Sequence, residues 1–101
     1  MTTWLISRHP GAIAWATATQ QFDRQQSHLD VHQIHKGDCV YGTLPVPMIA
    51  AINQRGARYF HLQLALNADQ RGRELSQEEL EAMQACWVEY QVHTPEQSAA
   101  E

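Results

Sequence analysis

Short apolar runs alternate along the chain with amphipathic stretches, and this order predicts an α/β fold. Four runs rich in β-branched and aromatic residues predict strands at about 2–8, 27–31, 38–43 and 57–65. Three stretches with helical spacing predict helices at 11–22, 45–55 and 75–91. Strands that alternate with helices are typical of a mostly parallel sheet flanked by helices. We expect one domain over 1–93 and a disordered polar tail over 94–101.

The last predicted helix begins with a capping box, because Ser76 stands three residues before Glu79. The apolar residues that follow recur every three or four positions, namely Leu80, Met83, Trp87 and Tyr90. This spacing predicts one helix over 75–91 with a buried stripe. In contrast, strict alternation predicts a strand with one buried face, at a sheet edge, for Phe60, Leu62, Leu64 and Leu66.

The segment 7–12, which reads Ser-Arg-His-Pro-Gly-Ala, joins the first predicted strand to the first predicted helix. A turn of this kind lies at the carboxyl edge of a parallel sheet, where ligands usually bind. Arg8 supplies a permanent cation, His9 a titratable imidazole, and Ser7 a hydroxyl that can bind phosphate or ribose. The segment therefore predicts a phosphate site with a proton donor beside it.

Three further residues of this turn suit an anion. Pro10 has no N–H to lose, and Gly11 lets the backbone approach a ligand closely. The free amides at Gly11 and Ala12 favour negative charge at the start of a helix.

A second turn of the same type follows the strand at 38–43. It contains Gly42, Thr43, Leu44 and Pro45, of which Pro45 fits the first helical position. Two such turns on neighbouring parallel strands define one cleft. Either turn by itself is also compatible with an ordinary connection that binds nothing.

The charge is unevenly distributed, although the net charge is only -4. Residues 1–73 hold all seven cations and four acids, whereas 74–101 hold seven acids and no Lys or Arg. No continuous basic stripe exists, so we expect no duplex DNA partner. No apolar run reaches the ~20 residues of a membrane span, and the start lacks a signal pattern, so we expect a cytoplasmic protein with no membrane partner.

Cys39 and Cys86 fall in a predicted strand and a predicted helix, which favours buried free thiols over a disulfide. A zinc site is an alternative for four residues with ligand-like spacing, namely His28, His32, His35 and Cys39. They straddle two strands and a loop, so we favour exposed imidazoles and expect no metal or cofactor.

Arg71 and Arg73 flank Gly72 in the loop before the last helix, and two arginines around a glycine can wrap a phosphate. The alternative is a solvated loop. Arg8-His9 is also similar to the Arg-His-Gly turn of histidine phosphatases, in which the imidazole attacks phosphorus. Pro10 interrupts that motif here.

Considered together, these motifs resemble a known protein family. The residues that carry the resemblance are Thr3-Trp4, 7–12, Trp15, Gly37-Asp38, 42–46, 56–59, His61-Leu62 and 71–76. They resemble the small stand-alone CRISPR-associated proteins found beside type III CRISPR systems and related to CARF-domain ring nucleases. The resemblance implies a compact Rossmann-like (CARF-like) domain that forms a homodimer or higher homo-oligomer and binds cyclic tetra-adenylate. It also implies cleavage of this second messenger to linear di-adenylate, which switches off antiviral signalling.

The chemistry of such a cleavage suits the residues of the first turn. The ribose 2′-hydroxyl can attack its own 3′-phosphate, so neither a metal nor a protein nucleophile is required. Arg8, Arg71, Arg73 and the helix amides can stabilise the added negative charge, and His9 can act as general acid or base. Two alternatives are a module that sequesters the messenger uncut and a subunit that docks through its acidic helix around Glu78.

Overall fold

The computed structural model describes residues 1–64 and 74–95. Its helices and strands, in chain order, are β1 (Thr3–Ile6), α1 (Pro10–Thr19), β2 (Arg24–Gln26), a 3₁₀ turn (Val31–Gln33), β3 (Cys39–Gly42), α2 (Val46–Gln54), β4 (Arg58–Gln63), α3 (Gln77–Ala82) and β5 (Cys86–Tyr90). The strands form one sheet in the order β2-β1-β3-β4-β5. The first four are parallel, and β5 runs antiparallel to β4. The predicted α/β class, a mostly parallel sheet flanked by helices, is confirmed.

Alternation along the strands divides the core into two layers. On the α2 side, a buried cluster forms from Trp4, Ile6, Ile34, Val40, Ile49, Ile52, Ala57 and Tyr59. On the α1 and α3 side, the buried cluster contains Leu5, Trp15, Ala16, Leu62 and Leu80. The two faces of β1 are therefore both covered, as expected for an inner strand of a parallel sheet.

Asp38 ties the starts of β1 and β3 together from a buried position. Its carboxylate accepts hydrogen bonds from the backbone N–H of Thr2 at 2.9 Å, from Trp4 Nε1 at 3.2 Å and from the backbone N–H of His35 at 3.0 Å. Burial by itself raises the pKa of this carboxyl, but the three donors outweigh it and lower the pKa below its ordinary value. Asp38 is therefore an ionised anchor of the sheet.

The second strand lies earlier than predicted, at Arg24–Gln26 rather than 27–31. Its register is set by Asp23, whose carboxylate accepts from the backbone N–H and the hydroxyl of Thr3. Beyond it, Leu29 packs onto the α2-side core from a loop, and Asp30 caps the 3₁₀ turn by accepting from the N–H of His32. Leu29 thus packs against the core although 27–31 does not form a strand.

The predicted long helix at 75–91 is wrong, because the segment divides into α3 and β5. The capping box is present as predicted, with Ser76 and Glu79 bonded to each other's backbone. The helix then ends at a turn in which Gln84 adopts a left-handed φ of 57°. The aromatic and β-branched residues that follow pair with β4, so tertiary pairing overrides the helical spacing.

Three further expectations also change. The alternating pattern of 58–66 predicts an edge strand, but β4 is an inner strand because β5 pairs with its outer side. Tyr90 is 41% exposed instead of buried, whereas Leu80 is buried as predicted. Cys39 and Cys86 are both free thiols, but only Cys39 is buried, since Cys86 lies on the edge strand.

The helices of the described ranges are short. None has both the length and the apolar character that crossing a membrane requires.

Candidate functional site at the carboxyl edge of the sheet

The two predicted turns lie side by side at one edge of the sheet. From β1 the chain runs outward to β2 on one side, and β3 then lies on the other side of β1, so the strand order reverses between β1 and β3. In open α/β sheets, ligands bind outside the carboxyl ends of the strands at this point. Ile6 pairs with Gly42, and each residue is the last of its strand. The prediction of a shared edge is confirmed.

Two cavities open at this edge, one on each side of the sheet. The first, of about 470 Å³, lies toward α1 and α3 and has largely apolar walls that include Leu62 and Trp87. The second, of about 360 Å³, lies toward α2 and β2. Ser7, His9 and Thr43 line both cavities. These three side chains therefore mark the boundary between an apolar and a more polar compartment.

His9 forms a close pair with Glu74 at the rim of the first cavity. The Nδ1 atom of His9 lies 2.7 Å from Oε2 of Glu74, and both side chains are about half exposed or more, at 47% and 64%. An ionised carboxylate only accepts hydrogen bonds, so Nδ1 carries the hydrogen of this bond. When the ring is neutral, its lone pair is then on Nε2.

Gly11 explains why Glu74 reaches His9. The backbone that leads into α3 crosses directly over the start of α1, and a Cβ at Gly11 would lie 1.8 Å from the carbonyl oxygen of Leu75. Only glycine permits this crossing. The close backbone approach that we expected for a ligand is thus occupied by the chain itself.

The other residues of the first turn differ in whether they line a cavity. Ser7 accepts a hydrogen bond from the backbone N–H of His9 at 3.2 Å, and Ala12 lines the first cavity. Arg8 lines the second cavity, on the polar side. Pro10 and Gly11 begin α1 behind these side chains and line neither cavity.

The second turn is held by a buried phenol. The backbone N–H of Leu44 donates to the hydroxyl of Tyr59 at 2.8 Å, and this hydroxyl donates to the carbonyl of Gly42 at 3.0 Å. Tyr59 is fully buried, and burial raises its pKa to about 12 even though the Leu44 bond opposes the shift. The protonated phenol therefore fixes the turn that presents Thr43 to the two cavities.

Gly42 and Pro45 differ from their expected roles. A Cβ at Gly42 would lie 2.6 Å from the carbonyl oxygen of Ile6, so glycine is required here by the neighbouring strand. Pro45 is the N-cap of α2, and the helix itself begins at Val46. The binding role predicted for Leu44 stays a prediction, whereas the close approach expected for a ligand at Gly11 and Gly42 is filled by the carbonyl groups of Leu75 and Ile6.

His61 is separate from the His9 site. It lines a third cavity on the α2 side, beyond Leu44, and its Nδ1 lies 2.7 Å from the Tyr59 hydroxyl. Burial lowers the pKa of the His61 imidazole. Because His61 lines neither of the cavities that His9 lines, it is not placed as a second histidine beside the Arg8-His9 turn.

Two remaining groups of sequence candidates have different outcomes. Arg71 and Arg73 lie outside the described residues, so their predicted phosphate contacts stay predictions. Across 1–64 and 74–95, no three His, Cys, Asp or Glu side chains group as metal ligands, and this includes the segment 28–39 that suggested zinc.

Glu74 and Tyr59 are the site residues that the sequence did not indicate. Glu74 belongs to the acidic run and reads as a solvated charge, and no local spacing connects it to a residue 65 positions earlier. Tyr59 reads as a core residue of a strand, and only the sheet register brings its hydroxyl to the second turn.

The comparison with protein families adds an identity to this geometry. Residues 4–93 match the family described as "Putative CRISPR-associated protein (Cas_VVA1548)". The chain belongs to this family. The match covers β1 from Trp4 onward, the other four strands and both turns of the candidate site. No curated protein and no solved structure gives a significant match to the chain.

Proposed function

We propose that this CRISPR-associated protein is a type III ring nuclease that binds and cleaves cyclic tetra-adenylate. The observation that carries the proposal is the His9–Glu74 pair beside Ser7 and Thr43 at the switch point of the sheet. Family membership supplies the CRISPR context, and the resemblance to CARF-related proteins supplies the ligand. In this proposal, cleavage removes the messenger and switches off the antiviral response.

The reaction is an internal transesterification at one phosphodiester. The oxygen of the ribose 2′-hydroxyl forms a bond to phosphorus while the bond from phosphorus to the 5′ oxygen breaks. The 2′-hydroxyl loses a proton, and the 5′ oxygen gains one. The products have a 2′,3′-cyclic phosphate at one end and a free 5′-hydroxyl at the other, so no metal or water enters the step.

His9 moves a proton at Nε2. Glu74 holds Nδ1–H, so the neutral ring presents the Nε2 lone pair to take the proton of the 2′-hydroxyl. In its protonated form the same atom gives a proton to the 5′ oxygen. Glu74 acts through His9 by setting its orientation and tautomer, and it also stabilises the imidazolium that forms during transfer.

The start of α1 and Arg8 bind the phosphate. The positive end of the helix dipole lies at Pro10, and the amide of Ala12 belongs to its first turn beside the first cavity. Arg8 adds a permanent charge on the side of the second cavity. The added charge of the pentacovalent phosphorus is stabilised between them.

A dimer suits the symmetry of the substrate. Cyclic tetra-adenylate is a four-fold ring, and a two-fold homodimer can place one His9 at each of two opposed phosphodiesters. Two cuts in opposed positions give two linear di-adenylates. The site at the sheet edge is exposed in a single chain, which leaves room for a second copy across the ring.

The decisive experiment incubates the purified protein with cyclic tetra-adenylate in excess EDTA and separates the products by chromatography. We expect linear di-adenylate with a 2′,3′-cyclic phosphate end. His9→Ala should slow the reaction by roughly 10²–10⁴-fold with most of the binding kept. The matched control is His32→Ala, which changes an exposed histidine of the 3₁₀ turn.

Three other results would replace this proposal. Tight binding of the intact ring with no product under excess protein would make the chain a sequestering module. Cleavage that stops with EDTA and returns with zinc would overturn the metal-free mechanism. If the ring does not bind and Glu78→Lys disrupts a complex with another protein, the acidic surface of α3 is the functional one.

A further inference from the structure

A third cavity, of about 480 Å³, opens beside β4 on the α2 side of the sheet. Its walls are largely apolar and include Leu44 and Val46. Its polar groups come from His61 and Gln63, two alternate residues of β4, and from Tyr90 of β5. Leu44 also lines the second cavity, so the third cavity adjoins the candidate site through this side chain.

The hydrogen bonds of Tyr59 determine which nitrogen of His61 carries the proton. The N–H of Leu44 can only donate to the phenol oxygen, and the carbonyl of Gly42 can only accept from it. The single phenolic hydrogen therefore goes to Gly42, and a lone pair of the phenol remains for His61 Nδ1 at 2.7 Å. Nδ1 must carry a hydrogen, which leaves Nε2 as the unprotonated acceptor of the neutral ring.

The surroundings of His61 and Tyr59 favour the form of the ring in which Nε2 is the acceptor. Burial lowers the pKa of His61, which favours the neutral ring, and Tyr59 stays protonated because its pKa is raised to about 12. Within the described ranges, Nε2 of His61 makes no hydrogen bond to the protein, since the ring's one bond is made by Nδ1. Within the described residues, the ring of His61, which lines this cavity, therefore has an Nε2 acceptor without a protein donor.

We propose that this cavity is a base pocket that selects adenine over 6-oxopurines, with His61 as the residue that determines the specificity. The inference rests on the proposed function, because it assigns a base subsite to the same adenylate ligand. The 6-amino group of adenine donates to the Nε2 lone pair. Guanine and hypoxanthine present a carbonyl oxygen at that position, which places two acceptors against each other. The bond to Tyr59 prevents His61 from changing its tautomer to suit them.

Gln63 and Tyr90 complete the recognition. Gln63 lies two residues after His61 and so on the same side of β4. The Tyr90 hydroxyl donates to Gln63 Oε1, which orients the amide so that its hydrogens can donate to a ring nitrogen of adenine. The Tyr90 ring meets the His61 ring edge-on with centroids 5.8 Å apart and forms one wall of the pocket. The Nε2 acceptor of His61 and the amide donor of Gln63 therefore match the 6-amino group and a ring nitrogen of adenine.

The test uses the full chain labelled with ¹⁵N in its histidines and adenosine 5′-monophosphate and inosine 5′-monophosphate as probes. These two nucleotides differ at C6, which carries an amino group in one and an oxo group in the other, and at N1, which is an acceptor in adenine and carries a hydrogen in hypoxanthine. In the free protein, we expect the His61 ring to carry its hydrogen on Nδ1. Adenosine monophosphate should shift the Nε2 resonance, and inosine monophosphate at the same concentration should not. A hydrogen on Nε2, or equal shifts with both nucleotides, would refute the proposal.

Affinity measurements with variants provide the second arm. The unmodified protein should bind adenosine monophosphate at least about 10-fold more tightly than inosine monophosphate. His61→Phe keeps an aromatic ring without its nitrogen atoms and should reduce this ratio to near one, whereas the control His32→Phe should leave it unchanged. A ratio unchanged in His61→Phe would overturn the assignment even if the protein binds both nucleotides.

The two failures are distinguishable. If cyclic tetra-adenylate is not cleaved but adenosine monophosphate still shifts His61, the nuclease proposal is wrong and the base pocket remains. If the ring is cleaved and His61 does not discriminate between the nucleotides, the base pocket is wrong and the nuclease remains.

Discussion

The Nδ1 atom of His9 lies 2.7 Å from Oε2 of Glu74, although 65 positions separate the two residues in the chain. The contact joins the start of α1 to the segment that leads into α3. It depends on Gly11, over which the backbone at Leu75 crosses. The imidazole and the carboxylate of this pair thus come from segments that are far apart in the chain.

Glu74→Gln tests whether this contact sets the state of His9. The amide can donate to Nδ1 and so favour the wrong tautomer of the neutral ring. We expect cleavage of cyclic tetra-adenylate to slow by roughly 10-fold or more, which is less than for His9→Ala because the pair is exposed. The measurement is a single-turnover rate over a range of pH, with Glu78→Gln on α3 as the control. Equal rates for the two variants would show that Glu74 does not position His9.

Arg8 and Arg24 form a matched pair of exposed arginines. Arg8 lines the second cavity beside Ser7 and His9, whereas Arg24 lies on the edge strand over the ring of Trp4, 5.8 Å from its centroid. Arg8→Ala should weaken binding of cyclic tetra-adenylate by roughly 1.5–3 kcal/mol, as for loss of a charge-assisted contact to phosphate. Arg24→Ala should change it little. Isothermal titration calorimetry checks both, and similar affinities would place the phosphate away from Arg8.

Gly11→Ala should change the stability of the fold in the direction opposite to the one that helix propensity predicts. In an isolated helix, replacing glycine by alanine stabilises by roughly 0.5–1 kcal/mol. Here the new Cβ would lie 1.8 Å from the Leu75 carbonyl oxygen, so the lead-in to α3 must move. We expect a lower melting temperature and slower cleavage, because Glu74 moves with Leu75. A higher melting temperature with unchanged activity would show that the crossing is not close in solution.

The order of strands and helices up to β4 could be predicted from local patterns, and so could the position of both turns. Strand ends and helix starts therefore predict Ser7, His9 and Thr43 as neighbours, and all three line the same two cavities. The segment after β4 could not be predicted in this way. Trp87 and Tyr90 satisfy a helical period, and only the free edge of β4 makes them a strand. Glu74 was missed for the same reason, since its partner is fixed by a crossing and not by spacing.

Asp38→Asn should destabilise the fold most strongly at neutral pH. The amide has one acceptor oxygen where the carboxylate has two, so the donors at Thr2, Trp4 and His35 cannot all be satisfied. We expect a loss of about 1–3 kcal/mol in the free energy of unfolding. The control Asp30→Asn should be nearly neutral, because asparagine caps as well as aspartate.

The difference in unfolding free energy between the unmodified protein and Asp38→Asn should depend on pH in a definite direction. The pKa of Asp38 is lower in the folded protein than its ordinary value of 3.8. The stability that the ionised carboxyl contributes is therefore fully present above about pH 4 and is lost as the pH falls through the folded pKa. The free energies of unfolding of the unmodified protein and of Asp38→Asn, followed by tryptophan fluorescence, should converge in this acid range. A constant difference down to pH 2 would show that the charge is not what matters.

Tyr59→Phe should loosen the second turn without emptying the core. Removal of the hydroxyl leaves the N–H of Leu44 and the carbonyl of Gly42 without their partner, at a cost of about 1–3 kcal/mol in stability. The backbone amide of Leu44 should then exchange its hydrogen much faster, and cleavage should slow because Thr43 is no longer held between the two cavities. Tyr41→Phe is the control, since its ring stacks on Phe60 and it has no such bond in the described part of the chain.

The same phenol predicts a loss of stability at alkaline pH. Burial raises the pKa of Tyr59 from 10.0 to about 12, so the fold favours the protonated form. This contribution is fully present below pH 10 and decreases as the pH rises toward 12, because only the unfolded chain ionises readily in that range. Spectrophotometric titration should show one of the three tyrosines ionising last in the unmodified protein, and Tyr59→Phe should remove that step. Exchange at Leu44 that stays slow in Tyr59→Phe would show that the turn is held by its own backbone, and the phenol would then have no part in positioning Thr43.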